Sequence, residues 1–237
     1  MAEHKSHRHK KQGGKSFRIL PVIFCAGTIL ITLALIAAAP DTIRSAAGIA
    51  FSDAKKDYST AYENIYVPLD EGETAETVTN VNGKPEIDPD CVEYPAYGVC
   101  FGQLSVKDCG VDCPLFMGDG DIALSNGAGV YYGSFIPGYG RTTLIAGHNN
   151  TFFNGLKNAK SGQEITIKTG YGIYRYKIKE TAAKDESDAG AYDLSADKEN
   201  LVLYTCYPFD EVGLTDKRFF VYADLVDGIP IGKQTAE

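Results

Sequence analysis

Ile19 to Ala39 (ILPVIFCAGTILITLALIAAA) runs for 21 residues without a charged side chain. As a helix it would be about 30 Å long, enough to cross the hydrocarbon core of a bilayer. Lys5, Arg8, Lys10, Lys11, Lys15 and Arg18 all precede it, and such a flank is retained on the cytoplasmic side. The sequence therefore predicts a basic cytoplasmic tail at 1–18, a transmembrane signal anchor at 19–39 and an extracellular remainder. A cleavable signal peptide is the competing reading, because Ala37-Ala38-Ala39 offers small residues at a suitable place. Signal h-regions, however, run only about 7 to 15 residues. No second apolar run of this length follows, so a single pass through the lipid bilayer is expected.

The formal charge of −8 is unevenly distributed: residues 1–18 sum to +5, and the rest to −13. That acidic remainder excludes nucleic acid as a partner, since phosphate binding needs a basic face. Residues 40–90 are polar, with an acidic block at Asp70-Glu71-Gly72-Glu73, and are expected to form a stalk or linker. Within it Ala54, Tyr58, Ala61, Tyr62 and Ile65 fall at helical spacing, which predicts a short amphipathic helix. From residue 91 to 237 a folded domain is expected. Short runs of Val, Ile, Thr, Tyr and Phe alternate there with Gly, Asn and Asp, the pattern of an all-β fold. Predicted strands are Gly98–Val106, Pro114–Met117, Thr142–Ala146, Glu164–Thr169, Gly172–Lys184, Leu201–Cys206 and Arg218–Val226, suited to a small barrel or sandwich. Leu124–Ala128 and Phe152–Asn158 are expected to be short helical pieces.

One histidine lies in this domain, His148, where the apolar strand Thr142–Ala146 gives way to a loop. Cys206 ends the next apolar strand but two, and alternation puts it on the face of Val202 and Tyr204. Arg218 opens the strand after that. Two neighbouring strands are thus expected to present a thiol and a guanidinium side by side. Such a set serves acyl transfer: a thiolate attacks a carbonyl, a histidine moves the proton, and a fixed cation stabilises the oxyanion. Arginine suits the last role because it stays charged and presents a rigid fork of donors. The plainer reading is a core cysteine, an incidental histidine and a surface arginine.

The segments Val202-Leu203-Tyr204-Thr205-Cys206, Arg218-Phe219-Phe220-Val221 and Ile145-Ala146-Gly147-His148-Asn149 together resemble the three signature regions of the sortases. These are membrane-anchored cysteine transpeptidases of mainly Gram-positive bacteria. The resemblance covers about Pro95 to Asp227 and implies an eight-stranded sortase β-barrel with short helices. It also implies Cys206 as nucleophile, His148 as general acid or base, and Arg218 as the oxyanion-stabilising group, with no cofactor and no metal. Implied partners are secreted proteins carrying a C-terminal Leu-Pro-x-Thr-Gly or Leu-Pro-x-Thr-Ala sorting signal, and a cell-wall precursor amine. Cys206-Tyr207-Pro208-Phe209 and the Phe152-Phe153 pair are most similar to class D, which usually has Arg-Asp where Asn149-Asn150 stands here. Ile87-Asp88-Pro89-Asp90 is similar to the lid of class C sortases, or is an ordinary turn.

Cys91, Cys100, Cys109 and Cys113 are not part of that pattern. Outside the membrane they are expected to form disulfides, one of them pinning Cys91 to the barrel, with free thiols or a zinc site as alternatives. Gly118-Asp119-Gly120-Asp121 reads as a turn rather than a calcium loop, lacking the later oxygen ligands. The acidic stretch Asp185, Glu186, Asp188 and Asp193 reads as a solvated loop. Two rivals to the transpeptidase remain at this level: a membrane-anchored cysteine peptidase, and a non-catalytic, membrane-tethered peptide-binding β-domain.

Overall fold

The computed structural model describes Thr28 and residues 62–69, 78–81, 83–209 and 215–233. The expected basic tail and transmembrane helix lie outside the described residues, Thr28 apart. Among the described residues, eight strands close into a barrel: β3 (Cys100–Val106), β4 (Val111–Met117), β5 (Ala128–Val130), β6 (Thr142–Ala146), β7 (Glu164–Thr169), β8 (Ile173–Asp185), β9 (Asn200–Tyr207) and β10 (Lys217–Asp227), in the order β10-β8-β7-β3-β4-β5-β6-β9. Preceding them is a hairpin of β1 (Val78–Val81) and β2 (Lys84–Ile87). Most pairings are antiparallel; β4 with β5 and β6 with β9 are parallel.

Closure is driven by alternation. Leu201 and Leu203 of β9, Val221 and Ala223 of β10 and Ile145 of β6 point into one buried core, which also takes in Leu104, Leu115, Ile167 and Tyr176. Burying aliphatic side chains of this size contributes about 1.5–3 kcal/mol each. The intervening Leu144, Val202 and Phe220 form a second cluster on the outer face, covered by Ala191 and Leu194 of the long loop between β8 and β9. That loop is fastened by Tyr222 Oη donating to Ala191 O at 2.6 Å, Thr142 Oγ1 to Asp193 O at 2.6 Å and Lys184 Nζ to Gly190 O at 3.1 Å.

Several expectations are corrected. Residues 62–65 are extended rather than helical: Ile65 N donates to Cys100 O at 2.9 Å and Cys100 N to Glu63 O at 3.0 Å. Residues 54–61, the rest of the expected helix, are outside the described set. The stretch read as stalk contains β1 and β2, and Ile87 enters the main core. The predicted helical piece at Leu124–Ala128 starts and ends earlier, at Asp121–Asn126, because Ala128 already pairs with Leu115 as the start of β5.

The expected disulfides are absent too: Cys91, Cys100, Cys109 and Cys113 are free thiols. Cys113 faces the core, where burial pushes its thiol pKa far up, while Cys100 packs outside it with Phe116 and Ala123. Cys109 reaches Gln163 Oε1 at 3.5 Å, and Cys91 is exposed on the turn Pro89–Cys91. Among the described residues no cluster of His, Cys, Asp and Glu is suited to a metal ion. Asp88-Pro89 forms that turn, with Asp88 Oδ1 accepting from Asp90 N at 3.0 Å.

Candidate active site

β6 and β9 run parallel, and β10 returns antiparallel beside β9, so the end of β6, the end of β9 and the start of β10 meet at one end of the barrel. Cys206 and Arg218 are direct register partners across β9 and β10. Directly opposed residues share a face with Cβ atoms about 5 Å apart. Because Leu203 and Thr205 are inward, Cys206 and Arg218 belong to the outer face with Val202, Tyr204, Phe220 and Tyr222. The thiol and the guanidinium are thus side by side on the barrel's outside, both partly exposed.

His148 stands two residues beyond the end of β6, and its loop is fastened to β9 on both sides of the nucleophile. Gly147 N donates to Tyr204 O at 3.2 Å, and the buried Thr205 Oγ1 donates to Gly147 O at 2.6 Å. Beyond the histidine, Asn149 Nδ2 donates to Pro208 O at 3.0 Å. Backbone on either flank of His148 is therefore held to residues 204–205 and 208, which bracket Cys206. Position 147 has to be glycine, because a Cβ there would lie 2.5 Å from the ring of buried Phe153. Phe153 N in turn donates to His148 O at 3.0 Å, and the Phe153 ring is buried in the main core, with the partly buried Phe152 packed against that core.

His148 is exposed, yet desolvation by the surrounding chain lowers its pKa, and the Asp121 carboxylate offsets part of that by favouring the imidazolium. Asp119, two residues earlier, accepts a hydrogen bond from Tyr204 Oη at 3.2 Å. Burial and the Asp119 charge push the Tyr204 hydroxyl pKa far up, so it stays a donor. Asp119 and Asp121 thus lead into the helix Asp121–Asn126 beside the histidine; the turn reading of the Gly-Asp-Gly-Asp segment holds.

Arg218 is oriented by three acceptors. Its Nη1 donates to Thr215 O at 2.5 Å and Lys217 O at 3.0 Å, and its Nη2 pairs with Glu186 Oε2 at 2.6 Å. Glu186 comes from the acidic stretch read as a solvated loop. Asp188 and Asp193 fit that reading, accepting locally from Gly190 N and Ser195 N, whereas Asp185 closes β8 opposite Lys217 and accepts from Ser187 N. Glu186 does not fit it either, and composition carried no sign of its partner. Asn149 was visible only as a departure from a family pattern.

A separate groove of about 560 Å³ lies on the outer face of β8, β9 and β10 beside the β8–β9 loop, lined by Lys184, Tyr192, Asn200, Val202, Tyr222 and Asp224 among others; Cys206, His148 and Arg218 are not part of its lining. A partly exposed thiol, an imidazole loop and a fixed guanidinium at one end of the barrel form a site for attack on a peptide carbonyl.

Comparison with known proteins agrees with this geometry. The family model described as Sortase domain matches residues 104–226. Sortase D of Bacillus subtilis (strain 168) is 30% identical over 132 residues, covering 56% of this chain and 67% of that protein. Sortase A of Streptococcus agalactiae serotype III (strain NEM316) is 26% identical over 132 residues, and the match spans 52% of each chain, about half the length of that relative. Among solved structures, a Clostridium perfringens Sortase D5 transpeptidase superposes with a TM-score of 0.51 at 25% identity, covering 56% of this chain and 83% of that one. Sortase C from Clostridium perfringens SM101 shares the fold at a TM-score of 0.50 and 21% identity, with 56% and 73% covered.

Proposed function

Because the chain belongs to the sortase family of cysteine transpeptidases, we propose that it cleaves a Leu-Pro-x-Thr-Gly or Leu-Pro-x-Thr-Ala sorting signal and transfers the Thr acyl group to a cell-wall amine. The carrying observation is the register that sets Cys206 opposite Arg218, with the His148 loop fastened on both sides of the nucleophile.

In the first half-reaction Cys206 Sγ attacks the Thr carbonyl carbon. The developing oxyanion is stabilised by the Arg218 guanidinium, which Glu186 and two carbonyls hold in place. The bond from Thr to the following residue breaks, and the departing amine takes its proton from the His148 imidazolium, leaving a thioester. In the second half-reaction an acceptor amine attacks the thioester, gives a proton to His148 and expels the Cys206 thiolate. A proline in the signal suits presentation of an extended carbonyl to Cys206, because it fixes its own φ and biases the preceding residue towards extended conformations.

We place the enzyme at the cell membrane through a single span at 19–39, its catalytic domain outside. That reading is supported by the uncharged run and its basic flank.

The test is turnover of both peptides by the full chain, with and without hydroxylamine, beside Cys206→Ala. A Thr-hydroxamate product lost in the variant supports the proposal and shows which signal is preferred. Hydrolysis unaffected by added amine favours a peptidase. Peptide binding without cleavage, unchanged in Cys206→Ala, favours a non-catalytic domain.

A further inference from the structure

We propose that Asn149 is a positioning residue: its buried side-chain amide holds the histidine loop to the turn that follows the nucleophile and so fixes where the His148 imidazole stands relative to Cys206. The inference rests on the catalytic roles given to those two residues above.

The β6 ladder stops at Ala146, so the exposed His148 is carried by a loop rather than by a strand. On the strand side of the histidine that loop is anchored at Gly147, through Tyr204 O and Thr205 Oγ1. Past the histidine the next core anchor is the buried Phe153, which leaves the residues between it and Gly147 to be fixed by other bonds. The bonds from Thr151 N and Phe153 N to His148 O, and from Asn154 Nδ2 to Asn149 O, give the loop its shape but stay within it. Asn149 Nδ2 to Pro208 O, at 3.0 Å, crosses from the loop to the nucleophile's own chain, two residues past Cys206. The side chain is only 8% exposed, so water is a poor substitute for the Pro208 carbonyl as its acceptor. Gly147 and Asn149, one on each side, set the imidazole against the nucleophile's chain; without the Asn149 bond only Gly147 ties residues adjoining the histidine to that chain, Phe153 holding the loop to the core instead. Displacements of about 1 Å between reacting groups can lower a rate about 100-fold.

The test uses the full chain and the variants Asn149→Asp, an isostere that cannot donate this bond at neutral pH, and Asn149→Ala. Asn150→Ala serves as a comparison. Three quantities are measured: kcat and KM for the signal peptide, the alkylation rate of Cys206 by iodoacetamide located by peptide mapping, and thermal unfolding. The expected result is a fall in kcat of about 10- to 100-fold in both Asn149 variants with KM changed less than about threefold. Alkylation of Cys206 slows in both, and Asn150→Ala behaves as the parent. In a His148→Ala background the Asn149 changes add nothing further, since no imidazole remains to be placed. Unchanged kcat and alkylation in both variants would overturn the proposal, as would an equal loss in the His148→Ala background. So would a kcat loss confined to Asn149→Ala with a matching loss of folded protein. Should the parent turn over no peptide, the catalytic reading fails, whereas the alkylation comparison still decides the placement of His148.

Discussion

The two ends of the barrel hold their polar groups in opposite ways. At the end where β6 and β9 begin, Glu199 is 7% exposed and its carboxylate accepts from Gly138 N at 3.1 Å, Gly140 N at 2.6 Å and Tyr176 Oη at 2.7 Å. Those bonds fix the turn at 138–140. Gly138 O then receives Ile231 N, and Ile231 lies beside Ile87 of the β1–β2 hairpin. At the other end Cys206, His148 and Arg218 are partly or largely exposed: Cys206 and Arg218 stand on paired strands, the Arg218 head is held by Glu186, and the His148 loop is tied down through Asn149. A buried carboxylate without donors would be too costly to keep, so the first end surrounds Glu199 with donors, although the buried Tyr174 hydroxyl beside Gly138 has no hydrogen-bond partner among the described residues. The second must admit a peptide, and it keeps reactive groups partly open and borrows its rigidity from their neighbours.

The contrast also places the segment leading into the barrel. β3 begins and β10 finishes at the Glu199 end; residues 63–65 pair at Cys100, and Ile87 pairs just past β10. The Asp88-Pro89 turn therefore sits at the end of β10 remote from Arg218, and its resemblance to a lid over the site is not met.

Substitutions at the two ends should separate chemistry from stability. Cys206→Ala should lower transpeptidation by about three orders of magnitude or more while leaving the melting temperature near that of the parent, as read by peptide turnover and thermal unfolding. Arg218→Lys keeps the charge but loses the planar fork that Thr215 O, Lys217 O and Glu186 share. A fall in kcat of about 100-fold is expected, and steady-state kinetics measures it.

Glu199→Gln should do the reverse, setting an amide NH2 against at least one backbone N–H. A loss of about 1–3 kcal/mol in denaturant unfolding is expected, with kcat/KM within about twofold of the parent. Its pH dependence has a definite sign. Burial raises the Glu199 pKa above its unfolded value despite the donors. The folded chain thus keeps this proton to higher pH than the unfolded chain does. Its contribution to stability is greatest below the ordinary glutamate range and declines as pH rises through the raised value. Gln should abolish that decline.

The smallest effect belongs to Asp121→Asn. Without that carboxylate the imidazolium loses support, so the limb of the kcat/KM profile that reports His148 should move to lower pH.

Much of this was legible in the sequence where alternation is long and unbroken. β6 and β7 fall at the residues that alternation predicts, and β8, β9 and β10 within a residue at either end. β5 is three residues, Ala-Gly-Val, too short to carry a period. The beginning of β4 was hidden by Asp112 and Cys113, the first exposed and the second read as a disulfide partner. Cys206 opposite Arg218 was readable because adjacent apolar strands with a loop between them must pair. The supports of the site were not. Asn149 and Glu186 act through single bonds to Pro208 and Arg218, contacts set by loop geometry for which neither composition nor spacing provides a signal.

The most direct test of the account is the intact mass of the full chain after brief mixing with a Leu-Pro-x-Thr-Gly or Leu-Pro-x-Thr-Ala peptide and an acid quench. An acyl adduct ending at the Thr, mapped to Cys206, released by hydroxylamine and absent in Cys206→Ala, is the predicted result. Cleavage of the peptide at Thr by the full chain with Cys206 unmodified at every time point, and undiminished in Cys206→Ala, would contradict it.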